Sequence, residues 1–334
     1  MFESLAAWIL AALAVAATAL LRLYLQERAP GRVPVLLYHR LVEDALYPRL
    51  PRPENIFSIP ESRFREQMDF LVRSGYSTLS CSELEQHLDG RTLLPPRPLL
   101  ITFDDGSESV FSRALPILRD RGLKATVFVT TDTDSWVFHE HPRSQRRLAE
   151  QEMRQLETGG VAVESHGVSH RALNSMPEDN ARDEMLGSKR FLDAVLGRSV
   201  SYFAIPLNYY SPRILEVARQ AGYRLVFTSD NGTNRFGSDR RRLRRFIVEG
   251  NATLQEFARL LTPWGMVQRR VIADLKRLPP KLFGYRVWMP LRRLLYQSPL
   301  GLLLTPRHLR RLLLAVAVLL LAAAVFSLLA SGGL

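Results

Sequence analysis

Between residues 33 and 262, short apolar runs alternate with longer stretches in which apolar side chains recur at helical spacing. Runs at 35–38, 99–103, 126–130, 161–164, 201–205, 225–228 and 245–248 have strand length and near-continuous apolar character, the pattern of strands covered on both faces. Helical patterns lie between most of them, for instance at 62–74, 107–121, 211–221 and 253–261. Gly75, Gly122 and Gly222 follow three of these helices as expected C-caps. Strand and helix in alternation predict an α/β fold around a mostly parallel sheet, with any site at the C-terminal ends of the strands. About 230 residues suffice for one such domain with a well-buried core.

The ends of the chain differ. Residues 5–21 form a 17-residue uncharged stretch and residues 312–334 a 23-residue one. Both reach the length of a membrane-spanning helix, the first marginally. Glu3 in place of a basic leader, and no small-residue cleavage site, favour an uncleaved anchor over a signal peptide. The expected organisation is an anchor at 1–28, a globular domain at 33–262, a basic interfacial segment at 263–311 and a second membrane helix at 312–334.

Charge sharpens that expectation. Residues 266–311 hold eleven Lys and Arg against Asp274 alone, a local +10 within a net +12. Trp288, Leu291 and other apolar residues are interleaved, so the segment reads as one lying on membrane lipid rather than on nucleic acid. The positive-inside rule then places both flanks and the domain on the cytoplasmic face of the cell's inner membrane, with translocation of a large domain as the open alternative. Cys81 is the sole cysteine, which excludes intramolecular disulfides.

Chemistry concentrates in two clusters. Thr102-Phe103-Asp104-Asp105-Gly106 ends an apolar run, and Ser165-His166-Gly167-Val168-Ser169-His170 ends another. Adjacent carboxylates on a strand end can divide roles, one binding a cation and one acting as base. Two imidazoles four positions apart on one side of a helical turn, joined by one Asp, make the three-ligand open set of a catalytic zinc. The alternatives are an ordinary acidic turn with a helix cap behind it, and a chance pair of surface histidines.

Together these residues resemble carbohydrate esterase family 4, the polysaccharide deacetylases sharing the nodulation-factor deacetylase homology domain, over roughly residues 33–261. The first motif is matched in full by residues 102–106. The second is matched at His166 and His170, with Gly167 where a hydroxyl residue is usual. The third resembles Phe203-Ala204-Ile205-Pro206-Leu207-Asn208, in the style of poly-N-acetylglucosamine deacetylases, with Ala204 in place of an arginine that in relatives keeps the catalytic carboxylate ionised. The late histidine motif has no match. His39, in a Tyr-His pair after the first strand, is the preferred substitute acid, with His139 and His141 as other candidates.

The resemblance implies a distorted (β/α)7 barrel and a divalent metal, by default Zn2+, held by Asp105, His166 and His170. Asp104 would be the base, and the N–H of Leu207, following Pro206, would face the oxyanion. The implied activity is removal of N-acetyl groups from a polysaccharide or lipid-linked N-acetylhexosamine, with envelope-polysaccharide synthesis proteins as partners. Hydrolysis of O-acetyl esters would use the same atoms. The missing arginine and late histidine leave a catalytically impaired glycan-binding or scaffolding module as the rival. Two segments stay open: proline-rich 47–60, a loop over the barrel mouth or a spacer, and 240–245, whose five arginines suit either a phosphate or plain solvation.

Overall fold

The computed structural model describes residues 2–51, 54–135 and 146–275. Pro30–Leu261 forms one compact unit, and the two ends of the chain form the other. In the latter, α1 (Phe2–Arg28) is a 27-residue helix and residues 263–275 are helical. Among the described residues no helix is long and apolar enough to cross a membrane. This overturns the expected N-terminal span and the two-span inner-membrane placement resting on it. The physical reason lies in the helix itself: its uncharged stretch is 17 residues, at the lower limit of a crossing length of about 20, and Arg22, Glu27 and Arg28 occupy its last turns. The charge-based orientation of the domain falls with the span. The 312–334 stretch and most of the basic segment lie outside the described residues.

The larger unit is built on a parallel sheet. Its strands are β1 (Val35–Tyr38), β4 (Ser77–Thr78), β5 (Pro98–Phe103), β6 (Ala125–Val129), β7 (Val161–Ser165), β8 (Tyr202–Ala204), β9 (Leu225–Phe227) and β10 (Phe246–Ile247). They run in the order β10-β1-β5-β6-β7-β8-β9, with the short β4 added on β5. Every predicted strand has its counterpart. The sheet curls: Leu243, just before β10, bridges to Phe227 of β9, while β10 pairs with β1 through Leu36↔Phe246 and Leu37↔Ile247. That curl fits a distorted (β/α)7 barrel.

Alternation decides which side chains fill the interior. Val35, Leu100, Phe128, Tyr202, Ala204, Leu225, Phe227 and Leu243 meet in one buried cluster with Leu84 and Leu88 of the helix Cys81–Leu88. In β6 the same face carries Thr126, whose hydroxyl lies 3.3 Å from the Cys81 sulfur. The opposite strand faces receive the helices, as where Ser165 meets Ser188 of the long helix Glu178–Leu196 at 2.6 Å.

Two segments depart from their predicted form. The 107–121 helix opens as a π-turn over Val110–Ala114 before the α-helical Leu115–Arg119. Pro116 cannot donate to the carbonyl four residues back and its ring crowds that carbonyl, which widens the turn. The 47–60 segment is more than a loop. It contains helix Glu54–Phe57 and strand β3 (Ser58–Pro60), which pairs with β2 (Arg40–Val42) while Arg40 Nε donates to Ser58 Oγ at 2.6 Å.

Candidate active site

The site forms where β1, β5, β7 and β8 end. Asp104 extends the ladder one residue past β5, its N–H donating to Tyr38 O at 2.9 Å, and its carboxylate takes the inward face shared with Thr102. At Asp105 the backbone turns to φ +75, and Gly106 follows at φ +84. The reversal is locked from both sides, by Thr130 N–H to Asp105 O at 3.1 Å and Leu148 N–H to Gly106 O at 2.9 Å. A Cβ on Gly106 would lie 2.8 Å from Val129 Cγ1 and 3.0 Å from Val129 Cα, so only glycine fits.

His166 follows β7 directly, its N–H bonded to Val129 O at 2.9 Å. Its Nδ1 lies 2.8 Å from Ala204 O. A carbonyl accepts only, so Nδ1 carries the proton and Nε2 keeps its lone pair. That Nε2 lies 3.6 Å from Asp105 Oδ1, and His170 Nε2 reaches the same oxygen at 3.3 Å. The sequence spacing suggested a helical turn, but residues 166–170 are not helical: Gly167 at φ +83 and His170 at φ +57 reverse the chain and bring the rings together at 5.0 Å.

One ligand atom from each of Asp105, His166 and His170 lies within 4.8 Å of the others. Asp105 Oδ1 is buried and accepts no hydrogen bond. A buried carboxylate oxygen left that way is costly unless something positive sits there, so the donor set fits a divalent cation. Four of the five described non-glycine residues at positive φ, namely Asp105, His170, Leu207 and Asn208, belong to this site. Such strain persists only where surrounding contacts impose it.

Electrostatics follow from burial set against paired charge. Burial pushes the Asp105 carboxyl up, but His170, His39 and His166 together hold it well below the usual carboxylate range. Burial draws the His166 imidazole down to about 4 against the pull of Asp104, which leaves the ring neutral as a cation ligand requires. His170 is also disfavoured as a cation by burial, yet Asp105 beside it wins and raises it.

Asp104 has the partner that the third motif lacks. Arg245, fully buried just before β10, donates Nη1 to Asp104 Oδ1 at 2.6 Å and Nη2 to Oδ2 at 2.7 Å. Its Nε donates to Thr228 O at 2.9 Å, and its guanidinium lies 5.6 Å from the Phe128 ring centre and 6.0 Å from that of Phe227. Burial pushes the Asp104 carboxyl up, while Arg245, then His166, bring it below its ordinary value. Sequence reasoning missed this residue, having left the arginine-rich stretch to solvent or phosphate. The available signal was alternation: Leu243 points into the barrel, so Arg245 two residues on must as well. Its neighbours pair elsewhere, Arg240 with Asp89, Arg241 with Glu216 and Arg242 with Asp230.

His39 sits at the end of β1, half-buried, with its ring 4.8 Å from that of Phe57. Burial lowers its pKa, opposed by the fields of Asp105 and Asp104. Pro206 is buried at the end of β8, and Leu207 follows at φ +58 and 44% exposed. Asn208 holds that turn, accepting from Ser229 N–H at 2.7 Å and donating to Asp230 at 3.2 Å. His139 and His141 lie outside the described residues.

The chain is similar to known proteins. The sequence profile of the family Polysaccharide deacetylase matches residues 93–226, which contain Asp104, Asp105, His166 and His170. YxkH of Bacillus subtilis, which carries a polysaccharide deacetylase name, is 27% identical over 209 residues, covering 63% of this chain and 68% of that protein. The poly-beta-1,6-N-acetyl-D-glucosamine N-deacetylase of Escherichia coli K12 is 26% identical over 240 residues, covering 61% of this chain but only 36% of its own length. Among solved structures, IcaB from Ammonifex degensii superposes with a TM-score of 0.59 at 24% identity, covering 70% of this chain and 97% of that one. The Streptococcus pyogenes deacetylase PplD gives 0.59 at 24% identity, covering 68% and 96%. Profile, relatives and fold agree on where it stands: the chain carries a polysaccharide deacetylase domain, of carbohydrate esterase family 4, and is a carbohydrate deacetylase of the hydrolase class.

Proposed function

We propose that the protein removes N-acetyl groups from an N-acetylhexosamine glycan, with Asp105, His166 and His170 holding a divalent cation, Zn2+ by default for one carboxylate and two imidazoles. The observation that carries this reading is the buried convergence of those three ligand atoms beside a carboxylate ion-paired to Arg245. A cation there supplies Lewis acidity for the acetyl carbonyl and acidifies water.

The remaining work belongs to the chain's own side chains. Asp104, kept ionised by Arg245, accepts the proton of the attacking water. The Leu207 N–H, presented by a turn that Asn208 pins, faces the carbonyl oxygen as negative charge develops on it. His39 delivers a proton to the departing amine. The names of relatives such as the Escherichia coli enzyme favour an N-acetylglucosamine polymer as the substrate class.

An impaired binding module loses its main motive, since Arg245 stands in for the arginine absent at Ala204. The deciding experiment combines metal content with acetate release. Purified protein is expected to hold one Zn2+ per chain and to release acetate from β-1,6-linked N-acetylglucosamine oligomers, with activity lost to a chelator and restored by the metal. Metal without acetate release would favour the binder, and release from O-acetylated sugars alone would favour the esterase.

A further inference from the structure

The two imidazoles are positioned by different means. His166 is fixed by the sheet and by the Ala204 carbonyl. His170 ends a turn and holds φ +57, a region a side chain with a Cβ does not choose on its own. Something must impose it.

Glu184, on the helix Glu178–Leu196, packs its carboxylate against that turn. Its Oε2 accepts the N–H groups of Val168 at 3.0 Å and Ser169 at 2.8 Å, and its Oε1 accepts the Ser169 hydroxyl. The carbonyls of Gly167, Val168 and Ser169 are bound from the opposite side. Thr131 N–H donates to Gly167 O at 3.1 Å, Asp132 N–H to Val168 O at 3.0 Å and Ser135 Oγ to Ser169 O at 3.0 Å. The turn is therefore gripped between the segment after β6 and one carboxylate, with Glu184 taking the N–H groups of Val168 and Ser169 while Gly167 N–H donates to Ser165 Oγ at 3.3 Å.

We propose that Glu184, acting through Ser169 and the two backbone N–H groups, is a positioning residue that holds His170 in its ligating conformation and so sets the affinity and coordination geometry of the cation. This rests on the metal reading above. Loss of the clamp frees residues 168–169 to rotate and lets His170 relax to negative φ, carrying its Nε2 away from Asp105. Gly167, which lacks the hydroxyl usual at its position, contributes no side-chain bond, so the hydroxyl of Ser169 is the one the clamp can grip.

The test measures Zn2+ affinity of the full chain by competition with a chromophoric chelator, together with the visible absorption of the Co2+-loaded protein. Glu184→Ala should weaken Zn2+ binding by roughly 10- to 100-fold, the usual cost of losing such a support, and alter the Co2+ spectrum. Ser169→Ala, which removes one bond of three, should show a smaller loss and stands in if Glu184→Ala does not fold. Glu184→Gln should stay near wild type, because its amide oxygen accepts both N–H groups and its NH2 donates to Ser169 Oγ. Wild-type affinity and spectrum in Glu184→Ala would overturn the proposal. Equal weakening in Glu184→Gln would overturn it too, by assigning the effect to charge rather than to the grip. A wild-type protein that binds no metal would sink the cation reading itself, a result distinct from metal bound equally by all variants.

Discussion

Replacing Arg245 by Met keeps a side chain of similar length between Phe128 and Phe227 but removes the guanidinium from Asp104. The pair is bidentate at 2.6 and 2.7 Å, and the two side chains are 0% and 5% exposed. Removing one member of such a pair leaves a buried uncompensated charge and costs about 3–5 kcal/mol. For a unit of this size each kcal/mol shifts Tm by about 2–4 °C, so the melting temperature should fall by roughly 6–20 °C. The catalytic effect has a definite sign. Arg245 holds the Asp104 carboxyl below its ordinary value against burial. Without it burial dominates, the carboxyl rises, and the acid limb of the kcat/KM profile should move to higher pH, each unit corresponding to about 1.4 kcal/mol. The assays are urea and thermal unfolding of the single variants and of Asp104→Asn/Arg245→Met, with pH–rate profiles of wild type and Arg245→Met. The double variant should be more stable than the two single losses added together, since it leaves no orphaned charge. An Arg245→Met protein within about 1 kcal/mol of wild type, or a strictly additive double variant, would refute the reasoning.

Other expectations follow from the same geometry. Asp104→Asn should retain Zn2+ yet lose roughly 10²- to 10⁴-fold in kcat, the range for a general base; unchanged turnover removes the base. His39→Gln should lower kcat with Zn2+ affinity intact, and wild-type kcat in that variant would return the proton-delivery role to another group. Burial pushes the Glu164 carboxyl up to about 7 despite Arg198 and the N–H groups of Tyr202 and Ser201. Its folded pKa thus lies above its unfolded one, so its contribution is complete below pH about 4.5 and lost as pH rises through 7, up to about 3 kcal/mol. Urea midpoints across that window should fall less steeply in Glu164→Gln. Gly106→Ala adds a Cβ 2.8 Å from Val129 Cγ1 at φ +84, and should cost of order 1–3 kcal/mol while weakening metal binding through Asp105; calorimetry and chelator competition report both.

Much of this was legible in the chain itself. Apolar runs of strand length located every strand of the main sheet except the two-residue β4, because a strand buried on both faces leaves an unbroken apolar signature, which half-buried Ser77 and Thr78 do not. Asp104, Asp105 and His166 were readable as site residues because each directly follows such a run, and the end of a parallel strand points its side chains to one rim. The apolar stretch at 5–21 was misread because its 17 residues sit at the lower limit of a crossing helix and charges close α1 directly after it.

What only tertiary structure decided is how distant segments meet. Asp104 and Arg245 are 141 residues apart, and alternation can assign Arg245 a face without saying that Asp104 meets it there. That depends on the sheet curling until the segment before β10 lies beside both β9 and β1, which turns an arginine otherwise suited to water onto the barrel axis. The same holds for His170, whose approach to Asp105 is imposed by Glu184 and the end of β6 rather than by its spacing from His166. Hydrophobic periodicity records which face a residue takes within its own element, but ion pairs and strained turns are chosen by the packing of elements against one another.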